Sequence, residues 1–115
     1  MPDQLNSISP LDGRYNKDAA VLSHYFSESA LMRYRVQIEI EYLIALSNEN
    51  KITALPPIPN TIQSTLRKLY EKFDTRAARR IKKIEFQTNH DVKAIEQYIV
   101  EKLHKINLSK FIPWV

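Results

Sequence analysis

The sequence from residue 28 to residue 47 reads ESALMRYRVQIEIEYLIALS, without proline or glycine. Its apolar residues recur every three or four positions, which is the spacing of an α-helix. Ser27, directly before it, is a good N-cap, and Glu28 places a negative charge at the positive end of the helix dipole. We therefore predict one long helix from Glu28 to Ser47.

This predicted helix is apolar on two faces. One stripe consists of Leu31, Tyr34, Ile38, Tyr42 and Ala45. The other stripe consists of Met32, Val36, Ile40 and Leu43. Because a small domain rarely covers both faces of one helix, we expect it to pack against something more, such as another subunit.

Shorter helices are predicted on both sides of the long one. Turn-forming residues indicate that residues 1–16 are irregular, and three prolines mark residues 50–59 as a loop. Asn60 and Gln63 resemble a capping box at the start of the next helix. The apolar spacing places the shorter helices at about residues 17–24, 60–73, 74–86 and 92–106.

The composition also favours helices over strands. Gly13 is the single glycine among 115 residues, whereas a β-rich fold needs many turn residues. We predict an all-α fold in one domain over residues 1–115, with short helices and one long helix. The absence of cysteine excludes disulfides and thiolate zinc sites, and His24 and His104 have no neighbours at metal-ligand spacing, so no metal site is expected.

Charge and hydropathy narrow the class of protein. The apolar runs are too short to cross a membrane, and the N-terminus has no signal-peptide core, so a cytoplasmic protein without a membrane partner is expected. The net charge of +4 favours an anionic partner. That partner could be a phosphorylated metabolite or a nucleic acid. The positive charge could also serve only to keep the protein soluble.

The first candidate site is the stretch SPLDGRY at residues 9–15. Its turn places the guanidinium of Arg14 beside the phenol of Tyr15. The planar fork of donors on arginine suits bidentate contact with a phosphate or a carboxylate. An ordinary turn with a surface arginine fits the same residues.

The second candidate site is TNHD at residues 88–91, directly before the last predicted helix. Unpaired backbone N–H groups at a helix start favour anions. His90 in this position can donate a hydrogen bond to a substrate oxygen or take part in proton transfer. The alternative is that Thr88 or Asn89 caps the helix and His90 is merely exposed.

A basic run offers an alternative function. Arg76, Arg79, Arg80, Lys82 and Lys83 follow one another on a single predicted helix. Such charges suit a module that binds nucleic acid or a partner protein. They equally suit a solvated helix face, because Ile81 and Ile84 give the same helix an ordinary core side.

Taken together, the two candidate sites resemble the bacterial type of adenylosuccinate lyase. The sequence SPLDGRY at residues 9–15 and the sequence TNHDVKAIE at residues 88–96 carry most of the resemblance. Similar to the same family are FSE at 26–28, YRVQIE at 34–39 and ARRIKKIE at 78–85. The lyases for argininosuccinate and fumarate share the architecture but fit these motifs less well.

The resemblance implies an N-terminal helical domain of the fumarase/aspartase superfamily, whose members are all-α homotetramers. It implies β-elimination of fumarate in purine biosynthesis, from adenylosuccinate to give AMP and from SAICAR, the succinylated carboxamide ribotide, to give AICAR. No metal or organic cofactor is needed in this family, and each active site draws residues from three subunits. Nucleic acid is then an unlikely partner.

By motif position, the resemblance assigns Arg14 and Tyr15 to the substrate phosphate and Asn89, His90 and Asp91 to the substrate site. His90 would act in proton transfer or, as we favour, in positioning the substrate. The family's central helical bundle, C-terminal domain, second catalytic histidine and catalytic-serine loop are missing here. Because the chain also ends on the apolar residues FIPWV, we expect a truncated lyase without activity of its own.

Overall fold

A computed structural model describes residues 3–115, which form two compact units that divide after Leu31. The α-helices are α1 Asn16–Ala19, α2 Ser23–Phe26, α3 Glu28–Ser47, α4 Asn60–Glu71, α5 Thr75–Thr88 and α6 Asp91–Lys105. Short 3-10 helices cover Gln4–Asn6, Ala20–Leu22 and Ser109–Trp114. No strand occurs among the described residues, so the predicted all-α class is confirmed. In the same residues, no helix has the length and apolarity that crossing a membrane requires.

The first unit consists mainly of turns and short helices. The single helix predicted over residues 17–24 is wrong in detail, because the 3-10 turn Ala20–Leu22 separates α1 from α2. None of these three elements contains a buried residue. Without tertiary packing of one face, a short segment has little to hold it in regular α geometry.

The long helix α3 has the predicted bounds, and it begins as the sequence indicates. The hydroxyl of Ser27 accepts a hydrogen bond from Ala30 N at 3.1 Å, which satisfies one free donor of the first turn. The prediction of an N-cap at Ser27 is therefore confirmed.

Of the two apolar stripes on α3, one is buried and the other is not. The buried stripe comprises Met32, Val36, Ile40 and Leu43. On the other stripe Leu31, Ile38 and Tyr42 are exposed, at 46%, 65% and 59%. The described residues therefore leave the second face uncovered, as its pattern suggested.

The core of the second unit joins α3 to α4, α5, α6 and the last 3-10 helix. Its members with no or almost no exposure include Ile40, Leu66, Ile81, Ile95 and Leu103. The loop after α3 is tied to this core, since the buried hydroxyl of Ser47 donates to Ile44 O and accepts from Ile58 N. A buried hydroxyl that makes both bonds avoids the cost of an unsatisfied polar group.

The predicted capping box at the start of α4 is wrong. Asn60 is already the first helical residue, the cap is Pro59, and no side chain bonds to the helix start as a cap. Proline has the fixed φ of −58° and leaves its carbonyl to accept from Ile62 N and Gln63 N. The Gln63 amide instead donates to Ile58 O at 2.9 Å.

The later boundaries shift by a few residues, and the 3-10 helices Gln4–Asn6 and Ser109–Trp114 were not predicted. α4 ends at Glu71, and α5 begins at Thr75 after its N-cap Asp74, whose side chain accepts from Ala77 N. α5 continues to Thr88, two residues beyond the predicted end at residue 86. It ends at Asn89, whose φ of 53° departs from helical geometry. The closing 3-10 helix Ser109–Trp114 follows no helical spacing in the sequence and forms around buried Phe111.

Replacing Glu39 with glutamine should stabilise the chain at neutral pH. Burial, and next the charge of Glu96, raise the pKa of Glu39. The folded chain therefore holds this proton more tightly than the unfolded chain, so stability falls as pH rises from the ordinary glutamate value through the raised one. We expect Glu39→Gln to add about 0.5 kcal/mol at pH 7, or about 2–4 °C in Tm.

The gain from Glu39→Gln should vanish near pH 3, where the carboxyl is almost fully protonated in both the folded and the unfolded chain. The matched control is Glu49→Gln at an exposed position, which should leave Tm unchanged. Thermal unfolding at the two pH values measures both effects. An equal gain near pH 3 and at pH 7 would contradict the explanation that burial and the charge of Glu96 disfavour the ionised carboxylate.

Candidate functional site

The loop that carries the first candidate residues is organised by Asp12. One carboxylate oxygen accepts from Ser9 N at 2.8 Å, and the other accepts from Ile8 N at 3.2 Å. The hydrogen bond from Ser9 is the main cause that lowers the pKa of Asp12, because it favours the ionised carboxylate. The stretch SPLDGRY is thus a defined turn held by its own aspartate.

The middle of this turn has room for glycine, at position 13, and for no residue with a side chain. Gly13 is buried, and a Cβ atom at this position would lie 2.7 Å from the carbonyl oxygen of Gln4. No real Cβ approaches a backbone oxygen so closely, so any side chain here would push the two loop segments apart. The glycine lets the chain fold tightly directly before Arg14.

Arg14 and Tyr15 follow this glycine and are both exposed. The Tyr15 N–H donates to Pro10 O at 2.8 Å, which fixes the backbone. The Arg14 guanidinium carbon lies 5.2 Å from the centre of the Tyr15 ring, within the range of a cation–π contact. The predicted pairing of guanidinium and phenol is therefore present, with the donors of Arg14 open to solvent.

The second candidate residues form the junction between α5 and α6. Asn89 ends α5 with a φ of 53°, in the left-handed region that asparagine tolerates well. Thr88 bridges this turn, because its hydroxyl accepts from His90 N and donates to His90 O. His90 then has extended backbone geometry and directly precedes α6.

His90 itself caps α6, so the alternative in which Thr88 or Asn89 caps the helix is wrong. The ring nitrogen Nδ1 accepts a hydrogen bond from Lys93 N at 3.1 Å. An acceptor nitrogen carries no proton, so in the neutral ring the proton is on Nε2. The exposed imidazole therefore offers an Nε2–H donor to a ligand while Nδ1 holds the helix start.

Asp91, the first residue of α6, is held by two partners. Its Oδ1 accepts from Val92 N at 2.8 Å, and its Oδ2 lies 3.1 Å from Nη1 of Arg35 on α3. The hydrogen bond from Val92 comes first, and the charge of Arg35 second, among the causes that lower the pKa of Asp91. Asp91 is thus a well-anchored carboxylate beside the imidazole.

Arg35 is the neighbour of this site that the sequence reasoning did not find. It lies in the family-like stretch YRVQIE, more than fifty positions before Asp91, and no helical spacing links the two. Charge alone gave no signal, because the chain has 17 lysines and arginines.

The basic run lies on α5 and is partly neutralised. Arg80 forms a salt bridge with Glu101, with Nε 3.0 Å from Oε2, and Lys82 lies 3.6 Å from Glu85. Ile81 and Ile84 are buried on the opposite side. These features match a solvated face of a core helix.

The two candidate sites belong to different units of the chain. Arg14 and Tyr15 lie in the first unit, and Asn89, His90 and Asp91 lie in the second. Asn89, His90 and Asp91 are consecutive residues at the junction between α5 and α6. The assignment of both sets to one substrate, which the resemblance implies, stays a prediction. Among residues 3–115 no group of three or more acidic or histidine side chains is placed to hold a metal ion.

Comparison with known proteins returns curated adenylosuccinate lyases. The chain is 49% identical over 107 residues to the enzyme of Dictyostelium discoideum, covering 89% of this chain and 22% of that protein. It is 43% identical to the enzyme of Legionella pneumophila strain Corby, over 88% of this chain and 22% of the relative. For the enzyme of Escherichia coli K12 the identity is 38%, over 89% of this chain and 22% of the relative.

The resemblance read from the motifs is confirmed by these matches. The chain spans between 22 and 25% of the length of the curated relatives it matches. No protein-family model matches the chain.

Proposed function

We infer that this chain is the N-terminal segment of an adenylosuccinate lyase, and we propose that the whole enzyme eliminates fumarate from adenylosuccinate to give AMP. We extend the proposal to SAICAR, the second substrate implied by the resemblance, and hence to purine biosynthesis. The observation that carries it is the pair of exposed, preformed loops: Arg14 with Tyr15, and His90 at the start of α6. Both belong to the stretches that carry the family resemblance.

The first loop is proposed to bind the substrate phosphate. Arg14 is exposed and backed by the Tyr15 ring, so its five donors face outward in a fork that matches phosphate oxygens. The tight turn at Gly13 and the carboxylate of Asp12 hold the backbone in advance of binding. A preformed loop loses less conformational entropy when the ligand arrives.

The second loop is proposed to contact the succinyl half of the substrate. β-Elimination needs a base that removes a proton next to a carboxylate and an acid at the leaving nitrogen. It also needs donors that stabilise the developing negative charge. The Nε2–H of His90 is such a donor, with Asn89 and Asp91 lining the same junction. We therefore assign His90 to substrate positioning.

The assembly and location of the whole enzyme are part of the proposal. We propose a cytoplasmic homotetramer in which each site combines residues of several subunits. The exposed apolar stripe of α3, with Ile38 and Tyr42, supports a further packing partner for this helix. The 115-residue chain alone should have no lyase activity.

Replacing Arg14 with alanine tests the phosphate assignment. In the full-length lyase we expect the KM for adenylosuccinate to rise by about tenfold or more, since a charge-assisted hydrogen bond contributes about 1.5–3 kcal/mol. Steady-state kinetics measure the change. The matched control is Lys17→Ala, which removes another exposed cation of the same unit and should leave KM within about twofold. Equal KM values for both variants would remove Arg14 from the phosphate site.

A further inference from the structure

A salt bridge connects the start of α6 to α3. Arg35 on α3 places Nη1 3.1 Å from Oδ2 of Asp91, the residue that follows His90. We propose that Arg35 is a positioning residue, which holds the turn at His90 and Asp91 in the orientation that the substrate requires. This inference rests on the proposed function, because it concerns the same site.

The two carboxylate oxygens of Asp91 have different partners, and the contact can orient the side chain because each oxygen is held separately. Oδ1 accepts from the backbone of Val92 within α6, whereas Oδ2 faces the guanidinium from α3. A carboxylate fixed at both oxygens cannot rotate without losing one bond. The salt bridge therefore fixes the orientation of the first turn of α6 relative to α3. The imidazole of His90, which caps this turn, is oriented with it.

The charges one turn further along the two helices repel each other, so Arg35 supplies a favourable charge contact beside an unfavourable one. Glu39 on α3 is repelled by Glu96 on α6, and this repulsion helps raise the pKa of Glu39. Arg35 and Glu39 are one helical turn apart on the same helix. Without Arg35, the contact between the helices would keep the repulsion and lose the cation that faces Asp91.

The role of Arg35 is geometric rather than a matter of overall stability. The side chains of Arg35 and Asp91 are 39% and 53% exposed. Ion pairs of this exposure contribute little to the free energy of unfolding. A displacement of about 1 Å at a substrate-positioning group, however, can lower turnover by about a hundredfold.

Kinetics of the full-length lyase test the proposal. We expect Arg35→Ala to lower kcat for adenylosuccinate by about ten- to a hundredfold, with a much smaller change in KM. Arg35→Lys keeps the charge and should restore part of kcat. Arg79→Ala, an exposed arginine of α5 outside the proposed site, should leave kcat unchanged. Wild-type kcat in Arg35→Ala would overturn the positioning role.

A second measurement on the 115-residue chain separates this inference from the proposed function. Carbon-13 NMR follows the titration of the Asp91 carboxyl, which should occur at higher pH in Arg35→Ala than in the unaltered chain or in Arg79→Ala. An unchanged midpoint would show that Arg35 does not hold Asp91, whatever the enzyme does. Absence of lyase activity in the unaltered full-length protein would instead overturn the proposed function, while the titration would still decide the contact.

Discussion

Replacing His90 with alanine should lower the kcat of the full-length lyase for adenylosuccinate by about a hundredfold or more. The Nε2–H of the ring is the donor that we assign to the substrate, and alanine removes it. Because the proposed interaction positions the substrate for elimination, kcat should fall more than KM rises. Steady-state kinetics with adenylosuccinate provide the measurement.

The capping role of His90 calls for a matched variant. Alanine also removes the Nδ1 acceptor from Lys93 N, and loss of an N-cap costs about 0.5–2 kcal/mol of stability. His90→Asn restores a good cap, since asparagine is among the preferred N-cap residues. We expect His90→Asn to melt at the wild-type temperature and still lose kcat. Recovery of wild-type kcat in His90→Asn would leave His90 with the cap alone.

Replacing Ile40 with alanine should lower the free energy of unfolding of the 115-residue chain by about 2–5 kcal/mol. The side chain of Ile40 has 0% exposure in the core of the second unit. Truncation removes apolar contacts and leaves a cavity that the neighbouring helices fill only in part. For a small domain this is a large share of the total, so the variant should be close to unfolded at 37 °C.

Ile38 provides the control for Ile40 on the same helix. It is the same residue type two positions earlier, but its side chain is 65% exposed. Ile38→Ala should therefore change stability by no more than about 0.5 kcal/mol. Urea unfolding followed by circular dichroism compares the two variants. Equal losses in both would contradict the assignment of the buried face of α3.

The elements that could be predicted are those whose signals are local. The N-cap Ser27 and the apolar spacing after it predicted α3, and the structure confirms both. A cap and a buried stripe depend on residues of one helix, so the local sequence is enough to find them. The start of α4 could not be read in the same way. Asn60 and Gln63 match a capping pattern, but Pro59 already supplies the turn, so the pattern has no function there. The closing 3-10 helix depends on burial of Phe111, which is a tertiary effect.

The candidate site shows the same division. Arg14, Tyr15 and His90 could be named because their motifs are contiguous in sequence. The identity of the cap could not, since histidine is a rare choice and two better capping residues precede it. Arg35 escaped notice because its link to Asp91 depends on how α3 and α6 pack.

The cap at His90 has a consequence for how the ring can take part in chemistry. The lone pair at Nδ1 accepts the hydrogen bond from Lys93 N. Nδ1 can therefore accept a proton only if this capping hydrogen bond breaks. A ring that carried protons through each catalytic cycle would have to fray and reform the first turn of α6 at the same rate. An imidazole used only as a fixed donor through Nε2 avoids this cycle and keeps the first turn of α6 intact from one turnover to the next.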